Sequence, residues 1–252
     1  MTNIILRGCN GQMGQVITRM VEEDESARIV AGIDITTERK SNYPVYSSFA
    51  LCNEKADVII DFSTPAYIDE MLEYAKANKI GIVLCTTGFT ADAEKLINET
   101  SNVIPILKSA NMSLGINLLL KLVKEAAKVL ADAGFDMEIV EKHHNKKIDA
   151  PSGTAFALAD AMNEALDHEY DYQYDRSKLR EPRGKKEIGI SAVRGGNIVG
   201  EHEVVFAGTD EVIEIKHTAY SKAIFAKGAI QAAKYLPGKP AGMYQMSDVI
   251  EQ

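Results

Sequence analysis

Groups that move protons and groups that hold anions crowd into one short stretch, Glu141 to Ala155, "EKHHNKKIDAPSGTA". Two of the chain's five histidines, His143 and His144, stand side by side there, with Lys142, Lys146 and Lys147 around them. An imidazole exchanges its proton near neutral pH, and an ammonium group holds a carboxylate or a phosphate. Pro151 stops regular structure; Ser152-Gly153-Thr154 then leads into Ala155, Leu158, Ala159 and Met162, which share one helical face. Such a helix start offers backbone N–H groups to an anion. Each part has a plainer reading: histidines that only pack, a serine that only caps, lysines on a solvated edge. Together they describe a pocket for a small anion with a proton donor beside it. No metal site is expected, because adjacent histidines do not readily ligate one ion and no cysteine or third histidine is near in sequence.

The surroundings make that cluster unusual. The chain has 252 residues and a net charge of -8, so its main partner is expected to be neither nucleic acid nor an anionic membrane. A hydrophobic share of 46% with 25% charged residues is that of a globular protein able to bury a substantial core in one or two domains. Cys9, Cys52 and Cys85 are scattered and odd in number, which points to a reducing, cytoplasmic setting. The opening "MTNIILRGCNG" is too short an apolar run for a signal peptide, and no stretch of about twenty apolar residues is present.

Something must position the cluster, and the first hundred residues supply one half of it. "NIILRG", "ARIVAGID", "DVIIDFS", "IGIVLCTTG" and "VIPIL" are near-continuous apolar strands. Helical patterns separate them, with Val16, Ile17, Met20 and Val21 on one face and Ile68, Met71, Leu72 and Ala75 on another. This predicts a parallel sheet covered on both faces. Between the first strand and helix lies "GCNGQMG", with Gly8, Gly11 and Gly14 in a G-x-x-G-x-x-G variant of the dinucleotide fingerprint. The glycines permit a tight turn and close approach of a pyrophosphate to a helix N-terminus. Asp34, at the end of the second strand, is placed to accept hydrogen bonds from an adenosine ribose.

Beyond residue 115 the pattern changes. "LGINLLLKLVKEAAKVLADAG" reads as one long helix, and the later strands alternate instead of running apolar. "FDMEIVEKHH" puts Met137 and Ile139 on one face, with His143 and His144 at its end pointing to opposite faces. "EIGISAVRGGNIVGEHEVVFAG" reads as two strands about a Gly195-Gly196-Asn197 turn, and "TDEVIEIKHTAY" as another. The expectation is a second, α+β domain with a mostly antiparallel open sheet. "EYDYQYDRSKLREPRGKK" reads as a long surface loop. The last helical pattern, Ala223 to Tyr235, fits either domain.

"EKHHNKKIDAPSGTA" resembles the signature E-x-H-H-x-x-K-x-D-x-P-S-G-T-A of the 4-hydroxy-tetrahydrodipicolinate reductase (dihydrodipicolinate reductase) family. The resemblance extends to "GCNGQMG", "DFSTP", "CTTGF", "SANMSLGIN" and "VRGGNIVGEHEVVF", and so across essentially the whole chain. It implies a Rossmann-like, doubly wound dinucleotide-binding domain, residues 1–114 plus 221–252, that takes the last helix. Residues 115–220 become a domain for substrate binding and oligomerisation, and the assembly a homotetramer. The implied activity is reduction of a small cyclic dicarboxylate to tetrahydrodipicolinate in diaminopimelate and lysine synthesis, with NADH or NADPH as coenzyme.

Roles follow from the same resemblance. His143 is implied as the general acid and Lys147 as the cation that holds a carboxylate and stabilises developing charge. His144, Lys147, Gly153 and Thr154 are implied as substrate contacts. Gly8, Cys9, Asn10, Gly11, Gln12 and Met13 are implied at the pyrophosphate and Asp34 at the ribose. Cys85, Thr86, Thr87, Ser109, Ala110, Asn111 and Met112 are implied around the nicotinamide. The chain departs from the family at Gln12, where a basic residue is frequent, at Cys85, where glycine is common, and at Ile35, where many members carry arginine. With Asp34 retained and those cations missing, NADH is expected to serve at least as well as NADPH. The two domains are expected to close on ligand, with hinges near Ser113-Leu114 and Tyr220-Ser221. On residues alone two other readings stay open: a regulator that binds the dinucleotide without chemistry, and a dehydrogenase acting on sugars or hydroxy acids.

Overall fold

The computed structural model describes residues 1–251. In chain order the elements are β1 (Thr2–Arg7), α1 (Gln12–Glu22), β2 (Ala27–Ile33), β3 (Val45–Tyr46), β4 (Val58–Asp61), α2 (Ile68–Asn78), β5 (Gly81–Leu84), α3 (Ala91–Ser101), β6 (Pro105–Lys108), α4 (Leu114–Leu130), β7 (Asp136–His143), α5 (Gly153–Glu164), β8 (Asp171–Gln173), β9 (Glu187–Arg194), β10 (Gly200–Ala207), β11 (Val212–Ala219), α6 (Ala223–Tyr235), β12 (Gly242–Tyr244) and α7 (Met246–Ile250). Two compact units result: Met1–Ser113 together with the segment from Ala223 onward, and Leu114–Lys222. No helix among the described residues is long and apolar enough to cross a membrane.

The first unit carries seven strands in the order β12-β6-β5-β4-β1-β2-β3, every pairing parallel. Its central strands are buried on both faces: Ile4, Ile5, Leu6, Ile59, Ile60, Ile82 and Val83 expose nothing. That burial is why they read as unbroken apolar runs. The register sets Arg7 beside Asp61, and these two buried side chains pair at 3.1 Å. α6 belongs to this unit. Its Gly228 faces the Met112 carbonyl so closely that a Cβ there would lie 1.7 Å from the oxygen, and Ala226, Ala229, Ala232 and Ala233 are buried along it. Small residues let this helix lie against backbone, and Lys234 ties it to Asp24.

The second unit holds five strands in the order β11-β10-β7-β9-β8. β10 pairs antiparallel with β11 and β7, but β7 with β9 and β9 with β8 are parallel. The sheet is therefore mixed where alternation suggested mostly antiparallel pairing. Two returns cause this: α5 between β7 and β8, and the irregular segment 174–186 between β8 and β9, each carry the chain back so that the next strand runs parallel. β9 and β10 are likewise not hairpin partners, because β7 lies between them. Met137, Ile139, Ile188, Ile190, Val204 and Phe206 pack on Ile116, Leu119, Val123 and Ala127 of α4 and on Leu158, Ala159 and Met162 of α5. The polar segment read as a loop contains β8, which pairs Tyr172 with Ile188 at the sheet edge. Three residues are too few to show a period.

Candidate functional site

In the first unit the residues singled out by sequence gather at one edge, the carboxyl ends of the parallel strands, where open α/β sheets bind their ligands. The glycine turn follows β1. Gly8 has φ +80°, and a Cβ added to it would lie 2.3 Å from the Phe62 carbonyl oxygen. A Cβ on Gly14 would meet the carbonyl oxygens of Gly8 at 2.2 Å and Cys9 at 2.6 Å. Gly11 caps α1 without a side-chain hydrogen bond, and no acidic residue lies in the first turn. This helix start keeps N–H groups and a positive dipole end for an anion, which suits a dinucleotide pyrophosphate. The Asp34 carboxylate accepts the Asn10 N–H at 2.9 Å through one oxygen and the Thr36 N–H at 3.2 Å through the other, so it is fixed beside the turn.

The other predicted contacts divide by where their side chains lie. The Cys9 side chain is wholly buried against Gly32, where a Cβ would come within 2.4 Å of its Sγ; only its backbone can face a coenzyme. Burial, with Asp34 nearby, pushes the Cys9 thiol up to about 12. Gln12 is exposed and Met13 half-buried at the turn. Cys85, Thr86 and Thr87 follow β5, and Thr86 is buried with its hydroxyl accepting the Ser63 N–H at 3.0 Å. Ser109, Ala110, Asn111 and Met112 follow β6, where the Asn111 side chain accepts the Ser113 N–H at 2.8 Å and Met112 points into the core.

In the second unit the alternation of β7 carries the chemistry. Met137, Ile139, Glu141 and His143 share its buried face, so the apolar face becomes polar towards its end. Glu141 is fully buried and satisfied on every side. Arg194 grips it with both terminal nitrogens at 2.7 Å, the Ser152 N–H reaches it at 2.9 Å, and the His143 Nδ1 lies 2.6 Å from its Oε2. Burial alone would raise this carboxyl, but the hydrogen bonds from Arg194, His143 and Ser152 outweigh it and hold it below the usual carboxylate range. An ionised carboxylate only accepts, so His143 Nδ1 carries a proton. His202, opposite Glu141 on β10, packs edge-on to His143 with ring centres 5.1 Å apart. Its Nε2 lies 3.0 Å from the Ser152 hydroxyl. Desolvation, with His143 nearby, pushes His202 down to about 4, so it is neutral at neutral pH.

The remaining predicted residues surround this network. His144 is half-buried just past β7, and the turn continues with the Lys147 N–H donating to its carbonyl. Lys147 Nζ sits 2.8 Å from Asp149, whereas Lys146 is exposed. Ser152 caps α5 by accepting the Ala155 N–H. A Cβ on Gly153 would meet nothing within 4 Å, so the helix begins against open space there and continues into Thr154. Sequence reading gave no role to Glu141, Arg194 or His202. A charged residue in step with Met137 and Ile139 was the available signal, since a carboxylate at a core position demands partners. Arg194 came from a distant strand, and only the β7–β9 register, which sets it beside His143, reveals it.

Comparison with known proteins places these features in a family. The N-terminal domain of dihydrodipicolinate reductase matches residues 2–112, and its C-terminal domain matches 115–250. The 4-hydroxy-tetrahydrodipicolinate reductase of Caldanaerobacter subterraneus is 50% identical, over 100% of this chain and 99% of its own. That of Clostridium novyi is 45% identical with the same coverage. A solved dihydrodipicolinate reductase from Paenisporosarcina sp. TG-14, bound to dipicolinate, shares the fold with a TM-score of 0.81 over 97% of each chain, at 24% identity. With both domain models matched and relatives this similar along their full length, the chain belongs to the 4-hydroxy-tetrahydrodipicolinate (dihydrodipicolinate) reductase family.

Proposed function

We propose that this chain reduces 4-hydroxy-tetrahydrodipicolinate to tetrahydrodipicolinate in diaminopimelate and lysine synthesis, with His143 as proton donor. The observation that carries the assignment of His143 is its Nδ1 held 2.6 Å from the buried Glu141 carboxylate. A reduced nicotinamide coenzyme supplies the hydride, and the Gly8–Met13 turn, Asp34, Cys85–Thr87 and Ser109–Met112 are the residues that would hold it. Hydride addition leaves electron density on the neighbouring ring carbon, and a positioned acid quenches it there. His143 Nε2 is the available atom, because Nδ1 is occupied by Glu141. Lys147 can exchange its exposed partner Asp149 for a substrate carboxylate, and Gly153 with Thr154 opens the α5 N-terminus to the same dianion. His144 lines the turn beside them.

NADH is the better coenzyme in this reading. The Asp34 carboxylate disfavours a 2′-phosphate, Ile35 is exposed and uncharged, and Arg39 is engaged by the Ser41 and Asn42 carbonyls. We place the enzyme in the cytoplasm and assign residues 115–220 to substrate binding and homotetramer formation. The outward face of the second sheet, with Val193 and Val212 exposed, supports self-association. Light scattering should then give the mass of four chains, and a monomer would contradict it. The function itself is tested by supplying the condensation product of pyruvate and aspartate semialdehyde with NADH. Coenzyme oxidation that depends on that product is expected, and its absence would overturn the reading.

A further inference from the structure

We propose that Glu141 is a positioning residue for this reduction: clamped by Arg194 and the Ser152 N–H, it holds the Nδ1 proton of His143 and commits Nε2 to the transfer. The inference rests on the reading of His143 as proton donor. A purely structural ion pair would be complete with Arg194 alone, which already meets both carboxylate oxygens at 2.7 Å. Yet Oε2 is shared with His143 at 2.6 Å, and the Ser152 N–H fixes Oε1 from another direction. Rotation about the last bond of Glu141 would break four hydrogen bonds to three partners at once, so the imidazole inherits a fixed plane. On the far side of the ring stands Gly200, where a Cβ would lie 3.1 Å from Nε2 and 3.5 Å from Cδ2. Glycine leaves room at the one nitrogen that is not anchored.

The charged and titratable groups facing His143 are Glu141 on its own strand, Arg194 on β9, His202 on β10 with His217 behind it on β11, and Lys147 with Asp149 in the following loop. Glu141 is the one carboxylate of this set in contact with the ring, and the neutral His202 does not compete for its charge. In the step itself the Nε2–H bond breaks and a C–H bond forms on the ring carbon next to the one receiving the hydride. The electron pair of the old bond stays on Nε2, and the Nδ1–H remains directed at Glu141, which gains no proton.

A double-mutant cycle separates this role from simple stability. Glu141→Gln should lower kcat by about a hundredfold while the KM for the dicarboxylate stays within about threefold. In a His143→Gln background the same change should cost less than about another twofold, because its only route to the chemistry is gone. Glu141→Asp keeps the charge that Arg194 requires but withdraws it from Nδ1, and should lower kcat about tenfold even if the glutamine variant fails to fold. Full kcat in Glu141→Asp, a Glu141→Gln loss confined to KM, or full additivity with His143→Gln would each overturn the inference. A His143→Gln enzyme with normal turnover would instead remove the underlying reading of His143.

Discussion

At the glycine turn of the first unit, the groups offered to a ligand are backbone N–H groups, placed by strand, turn and helix with little help from side chains. At the end of β7 in the second unit they are side chains, each held by another: His143 by Glu141, Glu141 by Arg194 and Ser152, and Ser152 by its contact with His202. The difference teaches where each half is vulnerable. A backbone cradle fails when an added atom forces the turn open. A side-chain network fails when one partner is removed and leaves a buried charge or an unanchored ring.

The largest effect should come from the second region. His143→Gln is expected to lower kcat by about a hundred- to ten-thousandfold with a much smaller change in KM, as loss of a group acting mainly in the transition state requires. Steady-state kinetics decides it, and turnover within a few-fold of wild type would take His143 out of the mechanism. Lys147→Ala should cost roughly a hundredfold in kcat/KM, through both parameters, because a carboxylate then lies uncompensated. Lys146→Ala should stay within about twofold, as its side chain is solvated. Reversed behaviour of the two lysines would mean that the loop presents the other one.

The first region breaks differently. Gly14→Ala sets a Cβ 2.2 Å from the Gly8 carbonyl oxygen, so backbone must move. About 1–3 kcal/mol of stability should go with at least tenfold weaker NADH binding. Gly11→Ala meets only the Gly8 oxygen at 3.3 Å and should weaken NADH binding with a smaller change in Tm. Calorimetry of both variants checks the contrast, and equal losses of Tm would contradict it.

What could be read in advance follows the same division. The parallel strands announced themselves because burial on both faces leaves unbroken apolar runs, as in "NIILRG" and "DVIIDFS". The glycine turn was legible because its chemistry needs one residue type at fixed spacing. β3, β8 and β12 were not, since two or three residues carry no period. The mixed pairing of the second sheet depends on two returns, through α5 and through residues 174–186, and alternation along a strand does not encode the direction of its neighbour. Glu141 was visible as a letter in the motif, but its grip by Arg194 joins residues 53 positions apart and appears only once β7 and β9 are paired.

Acid acts on the second region through His202. The unfolded His202 titrates near its ordinary 6.5 and the folded one near about 4, so between those values the unfolded chain binds more protons. Stability should therefore fall as pH drops through this window, by about 3 kcal/mol from this group. Glu141 acts in the same direction, its contribution fading as pH falls below the usual carboxylate range. Urea unfolding at pH 7 and about pH 4.5 should show a smaller acid loss in His202→Gln than in wild type; equal losses would mean that His202 is not held neutral by the fold. The smallest effect concerns the coenzyme. NADH should be preferred by about tenfold, and Arg39→Ala should leave the ratio within about twofold. Michaelis constants for both coenzymes at one ionic strength settle this, and a preference for NADPH that vanished in Arg39→Ala would assign the choice to that loop.

Proton transfer from His143 requires Nδ1 anchored on Glu141 and Nε2 free to work. Nitrogen-15 NMR of the imidazole rings, with His143 assigned by its loss in His143→Gln, reads this directly. In neutral His143 the proton should reside on Nδ1, bonded to Glu141, and Nε2 should be the unprotonated nitrogen. A neutral ring protonated on Nε2, or a rapid mixture of both tautomers, would contradict the anchoring by Glu141 and with it the assigned direction of proton transfer.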